Sequence, residues 1–129
     1  MPTELVLLIW STVLFAAYIG AQSIFYRIDL GVEYATGARD EDREPGTFAQ
    51  RADRALRNLL ETYPVFVALA AAALIGSRTD WLTTWGGIVW FVARWVYLPL
   101  YIFGVKYVRS LVWLISAIGL AMMFFGVAF

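Results

Sequence analysis

The 129-residue chain has no cysteine and no histidine, and lysine occurs once, at Lys106. Without cysteine there is no disulfide, no encoded thiolate nucleophile and no zinc ribbon; without histidine the usual proton shuttle and the commonest metal ligand are missing. Any catalysis must use Arg, Tyr, Glu, Asp or a bound reagent, and no metal is expected. Charge is scarce as well. Charged residues make up 16 % of the chain and cancel, ten basic against ten acidic, whereas a soluble domain carries about a quarter. That balance excludes a nucleic-acid binder relying on a basic field, and an apolar content of 61 % excludes a disordered tail or an ordinary water-soluble globule. An integral membrane protein is left.

Thirteen of the twenty charges fall between Arg27 and Arg57; the others are Glu4, Glu61, Arg78, Asp80, Arg94, Lys106 and Arg109. Between them lie four apolar spans, at 5–26, 59–76, 81–104 and 108–129. Each is near the ~20 residues that a helix needs to cross ~30 Å of hydrocarbon. Backbone groups in lipid must be satisfied within the segment, so the spans are helices. The first is no signal peptide: no basic stretch precedes it, and it exceeds the usual 7–15 apolar residues. The expected fold is all-α, one domain over 1–129, with helices at 4–26, 48–76, 81–104 and 108–128 and a cytoplasmic loop at 27–47. Short links between the later spans force an antiparallel, up-down-up-down four-helix bundle. Glu44-Pro45-Gly46 reads as a turn, and Thr47 with Gln50 as a capping box that starts the second helix. The acidic run from Asp40 to Glu44 reads as a solvated loop.

Six arginines lie between spans one and two, and Lys106 and Arg109 between three and four, against Arg78 on the other side. The positive-inside rule then places both termini outside. The preference for arginine over lysine hints at a GC-rich bacterial genome, hence an inner membrane with periplasmic termini.

Ionisable residues in a span cost at least ~2.5–3.5 kcal/mol near its centre, so each needs a reason. The second helix carries Arg51, Arg54, Asn58 and Glu61 within about 80° of arc; the third carries Trp90, Arg94, Tyr97 and Tyr101 on one face. At 1.5 Å per residue, Arg94 and Glu61 lie about 20 and about 22 Å deep and are expected to form an ion pair. By the same arithmetic Tyr97 should lie beside Asn58, and Tyr101 beside Arg54. Pro64 and Pro99 interrupt the backbone bonding next to these rungs, where bends would widen a pocket. Such a crevice suits an anion with several hydrogen-bonding groups, and cations beside a bound thiol lower its pKa from ~8.5 toward ~3.5–7.5. The plainer reading of Arg51 and Arg57 is that they snorkel to head groups, and of Trp81, Trp85 and Trp95 that they anchor the interface.

The segment QRADRALRNLLETYPVF, residues 50–66, resembles the signature of the MAPEG superfamily, membrane-associated proteins in eicosanoid and glutathione metabolism. Its core, Arg54-x-x-x-Asn58-x-x-Glu61-x-x-Pro64, is matched in full. ARWVYLPLY, residues 93–101, followed by Arg109-Ser110, is a second match. The resemblance implies a homotrimer with glutathione sites between subunits, opening to the cytoplasm. It implies that Arg54, Asn58, Glu61, Arg94, Tyr97 and Tyr101 contact glutathione as co-substrate, and that Arg109 stabilises the thiolate. Arg27 loosely matches a basic residue that ends helix one. Thr62 stands where many animal members have tyrosine, which argues against a leukotriene or prostaglandin synthase.

The expected activity is therefore that of a glutathione transferase or peroxidase acting on hydrophobic electrophiles or lipid peroxides. Its partners would be further copies of itself, the bilayer, glutathione and a hydrophobic small molecule, without nucleic acid. One alternative is a non-catalytic membrane scaffold of the same fold. The other, a small multidrug-type transporter, would need an essential acid within the first span.

Overall fold

A computed structural model describes residues 1–31, 37 and 46–129. The described residues form four helices and no strand: α1 (Thr3–Leu30), α2 (Thr47–Ile75), α3 (Trp81–Ile102) and α4 (Lys106–Ala128). All four are long and apolar enough to cross a bilayer. The chain is an all-helical, integral membrane protein.

Helix ends differ from expectation where local capping decides. α1 runs one turn past residue 26, and Arg27 in its last turn bonds back to Ser23 while favouring the negative helix end. The expected capping box at Thr47 and Gln50 does not form: Gly46 is the N-cap of α2, no side chain caps it, and Thr47 is already helical. A capping box occurs instead at the start of α3. Asp80 Oδ1 accepts from the Thr83 backbone N–H at 2.9 Å, and the Asp80 N–H donates to Thr83 Oγ1 at 2.8 Å. The expected turn at Glu44-Pro45 and the acidic loop from Asp40 to Glu44 lie outside the described residues.

Two seams fix the packing. The first joins α3 to α4 through glycines. A Cβ on Gly86 would sit 2.5 Å from the Gly119 carbonyl oxygen, and one on Gly119 would sit 2.6 Å from that of Gly86. The helices touch backbone to backbone, the close approach that small residues permit where lipid supplies no hydrophobic drive. Gly86→Ala should therefore force the pair apart and cost about 1–3 kcal/mol. Denaturant titration in detergent micelles checks this, and an unchanged midpoint would show that the seam is not tight.

The second seam is aromatic. Trp90 of α3 stacks on Phe66 of α2 at 4.1 Å between centroids and 8° between planes, with Tyr63 at 6.0 Å on the same indole. The hydroxyls of Tyr63 and Ser11 are 2.9 Å apart, tying α2 to α1. Tyr18 of α1 is wholly buried and its hydroxyl donates to the Arg94 carbonyl at 2.6 Å. Trp90, expected in the polar stripe of the third helix, thus belongs to the core. The first turn of α1 is anchored as well: Glu4 is buried and accepts from Thr83 Oγ1 at 2.9 Å and Thr84 Oγ1 at 2.6 Å.

Candidate active site

α2 distributes its polar residues by azimuth. Taking Asn58 as zero and about 100° per residue, Arg51 lies near +20° and Thr62 near +40°, while Arg54 falls near −40° and Glu61 near −60°. The buried positions Ala55, Leu59 and Phe66 all lie on the positive side, so that side faces α3. Arg54 and Glu61 are exposed. One motif has been divided between two faces.

Arg94 meets the inward part. It is 0 % exposed; Nη1 donates to Asn58 Oδ1 at 2.8 Å and Nη2 to Thr62 Oγ1 at 2.7 Å. The expected ion pair with Glu61 is absent, because Glu61 is turned about 100° away from Thr62 at similar depth. Arg94 Nε has no hydrogen-bond partner among the described residues, and its Cζ lies 5.0 Å from the centre of the Tyr97 ring. Residue depth brings Arg94 to the level of Glu61 and Thr62. It could not tell which of them face each other.

Beyond Asn58 opens a polar cavity of about 290 Å³ lined by Asn58, Tyr97, Tyr101, Arg109, Ser110 and Trp113. Tyr97 and Tyr101 pack edge to face at 5.6 Å, and Arg109 Cζ sits 4.4 Å over the Tyr101 ring. Guanidinium on an aromatic face is a cation–π contact, which fixes the charge without neutralising it. Of the seven expected site residues, four line this cavity: Asn58, Tyr97, Tyr101 and Arg109. Arg94 stands behind the wall, reaching the cavity through Asn58. Trp113 was not foreseen; its place three to four residues after Arg109 and Ser110, on the same helical face, is the signal that would have found it.

Arg54 lies elsewhere. It helps line a second cavity, of about 390 Å³, with Gln22, Tyr26, Gln50, Asp53 and Arg57, between the end of α1 and the start of α2. Its Nη2 donates to Gln50 Oε1 at 3.2 Å, so the expected proximity to Tyr101 does not occur; Arg109 occupies that place. Arg57 pairs with Asp53 at 3.1 Å in an exposed contact of small energetic weight. Trp81, Trp85 and Trp95 are exposed on the outer surface of the helices. A third, wholly apolar cleft of about 370 Å³ runs along α3 and α4 from Trp85 to Ile115 and carries no group for chemistry.

Four lipid-length helices with a buried guanidinium and a cavity walled by tyrosine, asparagine and arginine define a helical membrane protein with a polar site between its helices. The chain belongs to the MAPEG family, whose model matches residues 2–129. It is thus a membrane protein of the superfamily of eicosanoid and glutathione metabolism. No curated protein and no solved structure matches the chain.

Proposed function

We propose that this chain is a glutathione transferase or peroxidase of the bacterial inner membrane, a homotrimer of up-down-up-down bundles with both termini in the periplasm. The observation that carries the reading is the convergence of Asn58, Tyr97, Tyr101 and Arg109 on one cavity. Glutathione presents two carboxylates, an ammonium and a thiol, and this donor set suits its anionic groups. Arg109 is the cation available to hold the sulfur as thiolate. A guanidinium stays protonated, so it stabilises the anion and does not take the proton.

At about 290 Å³, the cavity of one chain is at the small end for a ligand of this size. Glu61 remains exposed within the span, where uncompensated charge is costly, and Arg54 is exposed on the same face about two turns earlier. A second copy laid against α2 would cover both and complete the site, with Arg54 for a carboxylate and Glu61 for the ammonium. In transfer, the thiolate forms a C–S bond while the leaving group departs with its electron pair. In peroxide reduction, it forms an S–O bond to the terminal oxygen as O–O breaks, and the alkoxide leaves with the electron pair and takes a proton from water; a second glutathione then displaces water from the sulfenic acid to give the disulfide.

Isothermal titration of the purified oligomer in detergent tests the reading. Saturable heat with glutathione at or below millimolar concentration is expected. The absence of heat at millimolar glutathione, with the trimer verified by light scattering, overturns it.

A further inference from the structure

The arrangement of Tyr101 and Arg109 is made by a turn, and the turn is held by a residue outside the cavity. α3 ends in a Schellman motif: the Val105 N–H donates to the Leu100 carbonyl at 3.0 Å and the Gly104 N–H to that of Tyr101 at 3.1 Å. Gly104 has φ +72°, the left-handed conformation that this motif requires. The Phe103 N–H reaches the Pro99 carbonyl at 3.0 Å. Of the last four carbonyls of α3, only that of Ile102 is left by the turn, and Arg51 Nη1 from α2 donates to it at 3.1 Å. The guanidinium lies flat on the turn. A Cβ on Gly104 would meet Arg51 Cζ and Nη2 at 2.9 Å. The cation also sits where the helix end is negative.

α4 starts directly after this turn, with the Arg109 N–H donating to the Val105 carbonyl at 3.3 Å. Tyr101, in the last turn of α3, and Arg109, in the first turn of α4, therefore face each other with the geometry that residues 103–105 impose. We propose that Arg51 is a positioning residue: by completing the C-terminal cap of α3 it holds the turn that sets Arg109 against Tyr101. This assignment rests on the reading above for its catalytic consequence, though not for its geometry. Arg51 thus does more than snorkel.

The test uses the full chain in detergent and reads geometry without ligand. The Arg109 Nε–Hε resonance, identified by its loss in Arg109→Lys, should be shifted upfield by the Tyr101 ring current in the wild type. In Arg51→Gln that shift should collapse, and Arg51→Lys, which keeps charge and a donor, should restore at least half of it. Gly104→Asn tolerates the positive φ but places a Cβ against the guanidinium, so it should reproduce the loss and carries the test if Arg51→Gln does not fold. With glutathione, kcat of Arg51→Gln should fall about 10-fold or more with KM within about threefold, as expected for a small misplacement of a reacting group. An Arg109 resonance left at its wild-type position in these variants overturns the proposal, as does failure of Arg51→Lys to restore it. A collapsed shift in a protein that neither binds nor turns over glutathione supports the positioning role and removes the functional reading.

Discussion

Replacing Arg109 by alanine is expected to lower thiol conjugation by about 10²- to 10³-fold, the loss typical of removing one preorganised group that stabilises developing or bound anionic charge. The assembly and its affinity for glutathione should persist. Arg109 is half-buried, lies in the first turn of α4 and makes no ion pair among the described residues, so its removal leaves no carboxylate uncompensated. Its contact with Tyr101, at 4.4 Å, is the kind worth about 0.5–2 kcal/mol, too little to dominate stability. Arg109→Lys should recover part of the rate, because it keeps the charge but loses the planar face that packs on the ring. Initial rates with an activated aryl halide, together with titration of glutathione binding, check both variants. Unchanged turnover in Arg109→Ala would remove this residue from the mechanism.

The second large effect concerns Arg94 and is one of stability. Arg94 is wholly buried, and its guanidinium is held by one amide oxygen and one hydroxyl rather than by a carboxylate. Two hydrogen bonds to a charged group contribute about 1.5–3 kcal/mol each, against a desolvation cost of several kcal/mol, so the terms nearly offset. Truncation is another matter. Arg94→Met leaves Asn58 Oδ1 and Thr62 Oγ1 without their donor, and a loss of about 3–4 kcal/mol is expected. Adding Asn58→Leu and Thr62→Val removes the stranded groups, and the triple variant should regain most of that stability while its turnover stays low. Glu61→Gln, by contrast, should change the unfolding midpoint of the isolated chain little, since Glu61 makes no ion pair there among the described residues. Denaturation in micelles separates these outcomes. An equal loss in Glu61→Gln and Arg94→Met would restore the ion pair that the structure lacks.

Much of the molecule was legible from residue order. Four apolar spans separated by charge are a statement about solvent, and in a bilayer that statement permits helices and little else. Spacing alone also set Asn58 beside Tyr97, and both line the cavity, whereas it set Tyr101 beside Arg54, where Arg109 stands instead. What spacing could not supply was rotation about each axis. A polar stripe about 80° wide on α2 reads as one face, yet the packing of Ala55, Leu59 and Phe66 against the bundle turns Asn58 and Thr62 inward and leaves Arg54 and Glu61 outside.

The same division explains the ends of the helices and the fate of the arginines. Arg51 has every property of a head-group anchor, but it caps α3, because Gly104 and a three-residue turn leave the Ile102 carbonyl within its reach. Thr47 and Gln50 had the spacing of a capping box, but Gly46 ends the extended backbone first, and the box formed at Asp80 and Thr83 instead. The sequence by itself determined that this chain lives in lipid as four helices, because apolar length and the need to satisfy the backbone leave no other solution. Only the tertiary structure decided which polar groups share a cavity, because that depends on helix rotation, and side-chain packing across the seams sets rotation.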